Sequence, residues 1–310
     1  MRVFHSITDL PKFNHAVITI GTFDGVHKGH QQIISRLHEL RQQVAGESII
    51  ITFHPHPRLV INPQDASVQL LNTIEEKIAL LEKYGVDNVV VVPFSRAFSE
   101  MEAEEYVADF LVKNFQPKAI VIGYDHRFGK NRSGGLELLE QLQARYHYHL
   151  EEIPKQELDA IAISSTKIRQ ALKDGETTSA NDLLGHRYSI SGVVVKGLQN
   201  GRKLGYPTAN MQSTDNNKLI PRNGIYAARA LVRGRWHGGL LSIGYNPTFN
   251  GTAKTVEVNI LDFNEEIYGE TIAVELIQYM RDEKKFDSIE SLIAAMDADK
   301  LAIEAVLKNS

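Results

Sequence analysis

Ten residues, Gly21-Thr22-Phe23-Asp24-Gly25-Val26-His27-Lys28-Gly29-His30, constrain this chain more than any other stretch. They follow a short, β-rich apolar run, Ala16-Val17-Ile18-Thr19-Ile20. Behind them Ile33, Ile34, Leu37, Leu40 and Val44 recur at helical spacing. A strand, a glycine-rich turn and a helix opening are therefore predicted. Glycines let the backbone come close to a ligand, and the first N–H groups of a helix have no intrahelical partner. Both properties suit a polyphosphate. His27 and His30 are three apart, which puts both imidazoles on one face of the first helical turn. Two such donors can hold a phosphate as charge shifts between attacking and leaving oxygens. The turn is neither a Walker A loop, which needs G-K-S/T, nor G-x-G-x-x-G. The bland alternative is a tight βα turn with two solvated histidines. H-x-G-H directly behind a strand and opening a helix is too specific a pattern for that.

The first half alternates apolar strands with helical patterns. Strand-like runs are Val17 to Ile20, Ser48 to Phe53, Asn88 to Val92 and Ala119 to Ile122. Helices are predicted at about Gln31 to Val44, Thr73 to Tyr84 and Ala103 to Phe115. Buried parallel strands read as continuous apolar runs, and these do. The expected fold is a doubly wound, Rossmann-like α/β sheet whose ligands sit at the carboxyl ends of its strands. The ten-residue turn resembles the signature of the nucleotidylyltransferase superfamily, which moves a nucleotidyl group from a nucleoside triphosphate to an acceptor phosphate.

The pattern changes in the second half. Glu176 to Asn181 reads as a polar linker, which places the division at residues 1–184 and 185–310. From Tyr188 onward the runs are β-rich. In Thr255-Val256-Glu257-Val258-Asn259-Ile260, the residues Val256, Val258 and Ile260 share one face. Gly224 to Val232, Trp236 to Gly244 and Thr271 to Met280 add strands, and Ile289 to Leu307 is an amphipathic helix. A small antiparallel barrel with a C-terminal helix is predicted.

The chain of 310 residues is long enough for two cores, and 43% hydrophobic with 23% charged residues is ordinary for a soluble protein. A formal net charge of −4 gives no global field for nucleic acid. Without cysteine there is no disulfide, no thiolate metal site and no cysteine nucleophile. The apolar runs fall far short of a membrane span, and Met1-Arg2-Val3-Phe4-His5-Ser6 lacks a signal-peptide core. A cytoplasmic protein without nucleic-acid or membrane partners is expected.

Several further stretches carry candidate chemistry. Thr52-Phe53-His54-Pro55-His56-Pro57 is a loop stiffened by prolines, with two imidazoles at a strand end. Gly123-Tyr124-Asp125-His126-Arg127-Phe128-Gly129 joins a carboxylate, an arginine and two aromatics, a set able to stack on a ring and clamp a phosphate. Lys130 to Gly135 reads as a flap. Ile163-Ser164-Ser165-Thr166-Lys167-Ile168-Arg169 precedes a helix near Ile168 to Lys173, which the serines and threonine can cap, and offers hydroxyls, N–H groups and two cations as a second anion site. Gly197, Gly201 and Gly205 punctuate a loop whose amides can wrap phosphates. Thr208 and Asn210 offer hard oxygens that suit Mg²⁺. Glu257, opposite the Val256/Val258 face, is either a base for a hydroxyl proton or a solvated strand residue, and spacing alone favours the second. Asn246-Pro247-Thr248-Phe249 and Arg281-Asp282-Glu283-Lys284-Lys285-Phe286 are further candidate loops.

Together these motifs resemble the bacterial bifunctional riboflavin kinase/FMN adenylyltransferase family, also called FAD synthetases, over nearly the whole chain. The resemblance rests on G-T-F-D-G-V-H-K-G-H, H-P-H-P, G-Y-D-H-R-F-G and S-S-T-K-I-R, then on G-R-K-L-G-Y-P-T-A-N, Y-N-P-T-F-N-G, V-E-V-N-I-L-D-F and R-D-E-K-K-F. It implies that His27, His30, Ser164, Thr166 and Arg169 handle ATP phosphates, with Gly21, Phe23 and Asp24 in the same nucleotide site. It implies flavin contacts at Pro55, His56, Pro57, Asp125, Arg127, Phe128, Arg281 and Phe286. It implies that Gly197, Gly201, Arg202, Gly205, Thr208 and Asn210 hold Mg²⁺-ATP, and that Glu257 is the base on the riboflavin 5′-hydroxyl. Two positions depart from the usual family pattern: His126 replaces an aromatic, and Asn259 stands where many members have histidine. The implied reactions are riboflavin plus ATP to FMN, then FMN plus ATP to FAD and pyrophosphate. The rival readings are a nucleotidylyltransferase for another acceptor, such as a pantetheine phosphate, and a flavin-binding module without turnover.

Overall fold

The computed structural model describes residues 1–65, 68–154, 164–197, 201, 204–245 and 254–309. The chain divides into two compact units. One holds Met1–Gln69 and Ile74–Ser164, and the other holds Leu70–Thr73 and Ser165–Ser310.

The first unit is built on six strands: β1 (Arg2–Phe4), β2 (Val17–Ile20), β3 (Ser48–His54), β4 (Asn88–Pro93), β5 (Ala119–Gly123) and β6 (His149–Ile153). They pair in the order β1-β4-β3-β2-β5-β6, every pair parallel. Successive strand residues point to opposite faces, so each strand feeds two cores. Ile18, Ile20, Ile49, Ile51 and Ile120 pack with Tyr106, Phe110 and Leu139. Val17, Ile50, Val89, Val91 and Val121 pack with Leu37, Leu40 and Leu81. Helices α1 (Lys28–Gln43) and α3 (Ile74–Lys83) cover the second of these faces, and the short α2 (Pro57–Ile61) follows β3. Leu136–Tyr146 and the helical stretch 103–115, which winds as a π-helix over Tyr106–Val112, cover the first. This is the expected doubly wound sheet, with edge strands β1 and β6 in addition to the four predicted. Strand order reverses between β2 and β5, which are direct neighbours. In such sheets the crevice outside the carboxyl ends of those two strands is where ligands bind. The stretches Gly21–His30 and Gly123–Gly129 leave those two ends.

The second unit is a closed antiparallel barrel in the order β10-β11-β8-β7-β12-β9. Its strands are β7 (Ser189–Val195), β8 (Ala209–Ser213), β9 (Gly224–Val232), β10 (Arg235–Tyr245), β11 (Lys254–Ile260) and β12 (Thr271–Arg281). Closure leaves no unpaired edge among them. The helix Ile289–Lys308 lays Ile303 against Ile225, Ala227 and Leu240.

The predicted linker at Glu176 to Asn181 is corrected: Thr177–Leu184 is a helix. Thr177, Ala180 and Leu184 are buried, so the polar residues between them form only its outer side. With the helix Ser165–Asp174 it packs in the second unit, which places the compact division at Ser164–Ser165, ahead of the expected 184/185. The Asn181 side chain donates to the Leu276 carbonyl (2.9 Å) and accepts from the Tyr188 N–H (2.7 Å). Leu70–Thr73 also belongs here: Leu70 pairs with Lys218 in a parallel bridge, and the Lys218 ammonium donates to the Leu71 carbonyl (2.7 Å).

Candidate active sites

The glycine-rich turn of the first unit holds its two histidines in a stack. His27 is the N-cap of α1, and its Nδ1 accepts from the His30 N–H at 3.4 Å. The two imidazoles lie 3.8 Å apart at 15°, and Phe23 supports His30 from below at 4.9 Å. Gly29 gives this pair room: a Cβ there would stand 3.2 Å from His27 Nδ1, a tight contact that the ring would have to yield to. The helix therefore opens at Lys28, one turn before the predicted Gln31, because the histidine itself caps it. Burial holds His30 well below the ordinary imidazole range, and His27 and Lys77 push it the same way. Its Nδ1 is buried and has no hydrogen-bond partner among the described residues.

The turn before α1 is conformationally demanding. Phe23 (φ 47°) and Val26 (φ 39°) both occupy the left-handed region, which is costly for a β-branched residue such as Val26. Asp24, 3% exposed, lies between them.

The neighbouring strand ends shape the rest of the crevice. His56 caps α2, its Nδ1 accepting from the Arg58 N–H (3.2 Å), and Pro57 fills the first helical position. The H-P-H-P stretch is thus a helix entry rather than a free loop. After β5, the His126 N–H donates to the Gly123 carbonyl (3.0 Å), which closes a tight turn. Asp125 and Arg127 are exposed, while Phe128 is buried and stacks on Tyr106 at 4.9 Å. Burial pushes the His126 imidazole down to about 4, with Arg132 adding to the effect and Asp125 opposing it. The expected flap at Lys130 to Gly135 is pinned: Phe128 and Gly134 exchange both backbone hydrogen bonds (2.9 and 3.2 Å). Ser164 ends the first unit. Thr166 and Arg169 lie in the opening turns of the helix Ser165–Asp174 in the second unit.

The second site is assembled by strand register. β8 lies between β7 and β11, so Asn210 is flanked by Val195 and Glu257. The Thr208 hydroxyl donates to Glu257 Oε2 (3.1 Å), and the Asn259 side chain donates to the Pro207 carbonyl (2.8 Å). Val256, Val258 and Ile260 are buried on the opposite face. Glu257 therefore leaves the solvated class that spacing favoured and joins a polar group with Thr208 and Asn210. Gly197 closes over that group: a Cβ there would fall 2.4 Å from the Asn210 amide. The Tyr206 and Leu204 N–H groups both donate to the Gly201 carbonyl (2.9 and 3.0 Å), and Gly205 has φ 85°. Arg202 and Asn246-Pro247-Thr248-Phe249 lie outside the described residues.

Arg281 is engaged within the protein. Its guanidinium grips Asp299 of the closing helix through Nε (2.8 Å) and a terminal nitrogen (2.6 Å), and donates to the Asp282 carbonyl (2.8 Å). It anchors that helix to the barrel. Phe286 is half-buried in the connection between them.

One residue that sequence reasoning did not single out, and one that it noted only as a departure from the family pattern, bear on these sites. Lys77 is buried on α3, and Asn259 positions the P-T-A-N backbone. Alternation along β11 placed Asn259 beside Glu257, and that was the available signal. Lys77 gave none.

Two family models match the chain. FAD synthetase covers residues 10–167 and riboflavin kinase covers residues 184–307. The bifunctional riboflavin kinase/FMN adenylyltransferase of Listeria monocytogenes is 38% identical over 94% of this chain and 91% of its own length. That of Escherichia coli K12 is 35% identical over 97% and 95%. A crystal structure described as a macrolide-efflux protein from Streptococcus pneumoniae superposes with a TM-score of 0.86 at 31% identity, over 97% of this chain and 98% of that one. That description belongs to that protein, whereas both halves of this chain match flavin-enzyme models. Matched in both halves and along nearly its whole length, the chain belongs to the bifunctional riboflavin kinase/FMN adenylyltransferase family.

Proposed function

We propose that the two reactions of this family are divided between two sites of this chain, with the kinase chemistry carried by residues 185–310 and adenylyl transfer served by residues 1–184. One observation carries the reading. The same chain presents a stacked histidine pair at a sheet switch point and a barrel whose register joins Thr208, Asn210 and Glu257.

In the kinase reaction the nucleophile is the riboflavin 5′-hydroxyl, a neutral alcohol. Glu257 takes its proton as the oxygen attacks the γ-phosphorus of ATP and ADP leaves. The hydrogen bond from Thr208 aims that carboxylate. The donor set suits Mg²⁺, since the Thr208 hydroxyl and the Asn210 carbonyl are hard oxygens beside a carboxylate. Bound there, Mg²⁺ neutralises charge on the transferring phosphoryl group. Gly197, Gly201 and Gly205, with Arg202, cover the phosphates.

In adenylyl transfer the nucleophile is the FMN phosphate, already ionised, so no base is needed. The FMN oxygen attacks the α-phosphorus of ATP and pyrophosphate leaves. The task is to place two polyanions in line and stabilise the charge that develops. His27, His30 and the opening amides of α1 serve the triphosphate beside Gly21, Phe23 and Asp24. By resemblance to the family, Ser164, Thr166 and Arg169 also handle ATP phosphates. Pro55, His56, Pro57, Asp125, Arg127 and Phe128 wall the flavin. In the kinase site Phe286 borders the flavin and Arg281 holds the helix behind it.

The test is product analysis. Purified protein with riboflavin, ATP and Mg²⁺ should form FMN with one ADP, then FAD with one pyrophosphate. Pyrophosphate release with a pantetheine phosphate but not with FMN would assign a different acceptor. Flavin binding without either product would make the chain a binding module.

A further inference from the structure

Lys77 is a buried lysine that neither reaction uses. It sits on α3 with 5% exposure, where an amphipathic helix normally places an aliphatic side chain. Its ammonium donates to Thr52 Oγ1 on β3 (3.2 Å), and that hydroxyl donates to the backbone carbonyl of Thr22 (3.2 Å). Thr22 is the second residue of the phosphate turn. The chain of contacts therefore runs from the core of the helical layer to the start of the ATP site. Its end point is a turn that carries two non-glycine residues at positive φ and so needs ties from outside.

We propose that Lys77 is a positioning residue for adenylyl transfer, holding the phosphate turn through Thr52 and supplying a buried positive charge beneath it. The inference rests on the reading of His27 and His30 as the triphosphate site. Charge complementarity agrees with it. Lys77 attracts the buried Asp24 of the same turn, and its positive charge helps keep His30 neutral. Burial lowers the Lys77 ammonium only to about 8, so it stays charged at neutral pH. An apolar residue of similar length would pack at this position without any desolvation cost. What the lysine adds is a donor and a charge, and both are directed at the turn.

The experiment uses the full chain and measures both reactions in each preparation. Lys77→Met removes the donor and the charge. Thr52→Val removes only the relay hydroxyl. In FMN-to-FAD conversion, Lys77→Met should lower kcat by about tenfold or more while KM for ATP moves less than about threefold, because turn placement matters most in the transition state. Thr52→Val should lower kcat by a smaller factor. The double variant should be no slower than Lys77→Met alone, since the two act in series. Riboflavin-to-FMN turnover in the same preparations should match that of the unaltered protein. The inference is overturned if Lys77→Met or Thr52→Val leaves kcat for FAD formation unchanged. Additive losses in the double variant, or a parallel fall in the kinase reaction, overturn it as well. Should Lys77→Met fail to fold, Thr52→Val decides alone. His30→Ala separates the two claims. If it spares FAD formation, the site assignment fails; if it slows FAD formation about a hundredfold while Lys77→Met leaves it unchanged, only the lysine's role fails.

Discussion

Glu257→Gln keeps the shape of a side chain that accepts from the Thr208 hydroxyl and removes its basicity. Riboflavin phosphorylation should fall by a factor on the order of 10²–10⁴, the usual effect of losing a general base. Riboflavin binding should persist, because the glycine loop, Thr208 and Asn210 are untouched, and fluorescence titration of the flavin checks this. Near-normal turnover would return Glu257 to the role of a solvated strand residue. Lys77 makes a second prediction at this scale, on stability. Its ammonium titrates at about 8 in the folded protein against 10.5 for an ordinary lysine. Across that window the unfolded chain binds more protons, so stability rises with pH. Above pH 10 buried Tyr106, whose phenol is raised, reverses the trend, because the folded state then holds the extra proton. The thermal midpoint of the unaltered protein relative to Lys77→Met should therefore climb between pH 8 and 10. A constant difference would mean that the ammonium is not desolvated. The sequence could not announce Lys77. In Ile74-Glu75-Glu76-Lys77-Ile78 a lysine next to two glutamates looks like a solvated face. Only the packing of α3 on β3 shows that Glu76 and Lys77 point inward. The position of His27 at a helix opening, by contrast, was readable from the strand before it and the helical spacing after it, although its role as the cap was not.

At the scale of elements, the central strands were legible because burial on both faces leaves them continuously apolar, as in Ala119 to Ile122. The edge strand His149-Leu150-Glu151-Glu152-Ile153 has one neighbour and keeps its polar residues, so it carried no such signal. Strand β8 was hidden for another reason: Ala209-Asn210-Met211-Gln212-Ser213 holds site residues in place of β-formers, and its neighbours β7 and β11 supply the pairing. The helix Thr177–Leu184 was read as a linker because its outer side is polar, yet Asn181 ties it to β12 and to Tyr188. This bears on dissection of the chain. A fragment of residues 165–310 keeps those two hydrogen bonds and the buried Ile168, Leu172 and Leu184, whereas residues 185–310 lose them. Buried hydrogen bonds are worth about 1 kcal/mol each, before the larger apolar loss is counted. Both fragments carry the kinase residues, so both should make FMN, but the longer should melt several degrees higher. Equal midpoints would show that the helices are dispensable to the barrel.

At the scale of the molecule, the proposed function gives two consecutive reactions to two sites that share a chain but no catalytic residue. The doubly wound sheet places its motifs at the strand ends where order reverses, and the barrel places its own by register. If that division holds, damage to one site is invisible to the other, and two damaged proteins can complete each other's work. The direct test takes His30→Ala and Glu257→Gln, separately and mixed, and follows flavin products by chromatography. His30→Ala should convert riboflavin to FMN normally and form FAD about a hundredfold more slowly, the typical cost of one oriented donor. Glu257→Gln should leave riboflavin largely unconverted, turn supplied FMN into FAD at the normal rate, and yield FAD from riboflavin once His30→Ala is added. Normal FAD formation by His30→Ala, or loss of both reactions in a folded Glu257→Gln protein, would contradict the division.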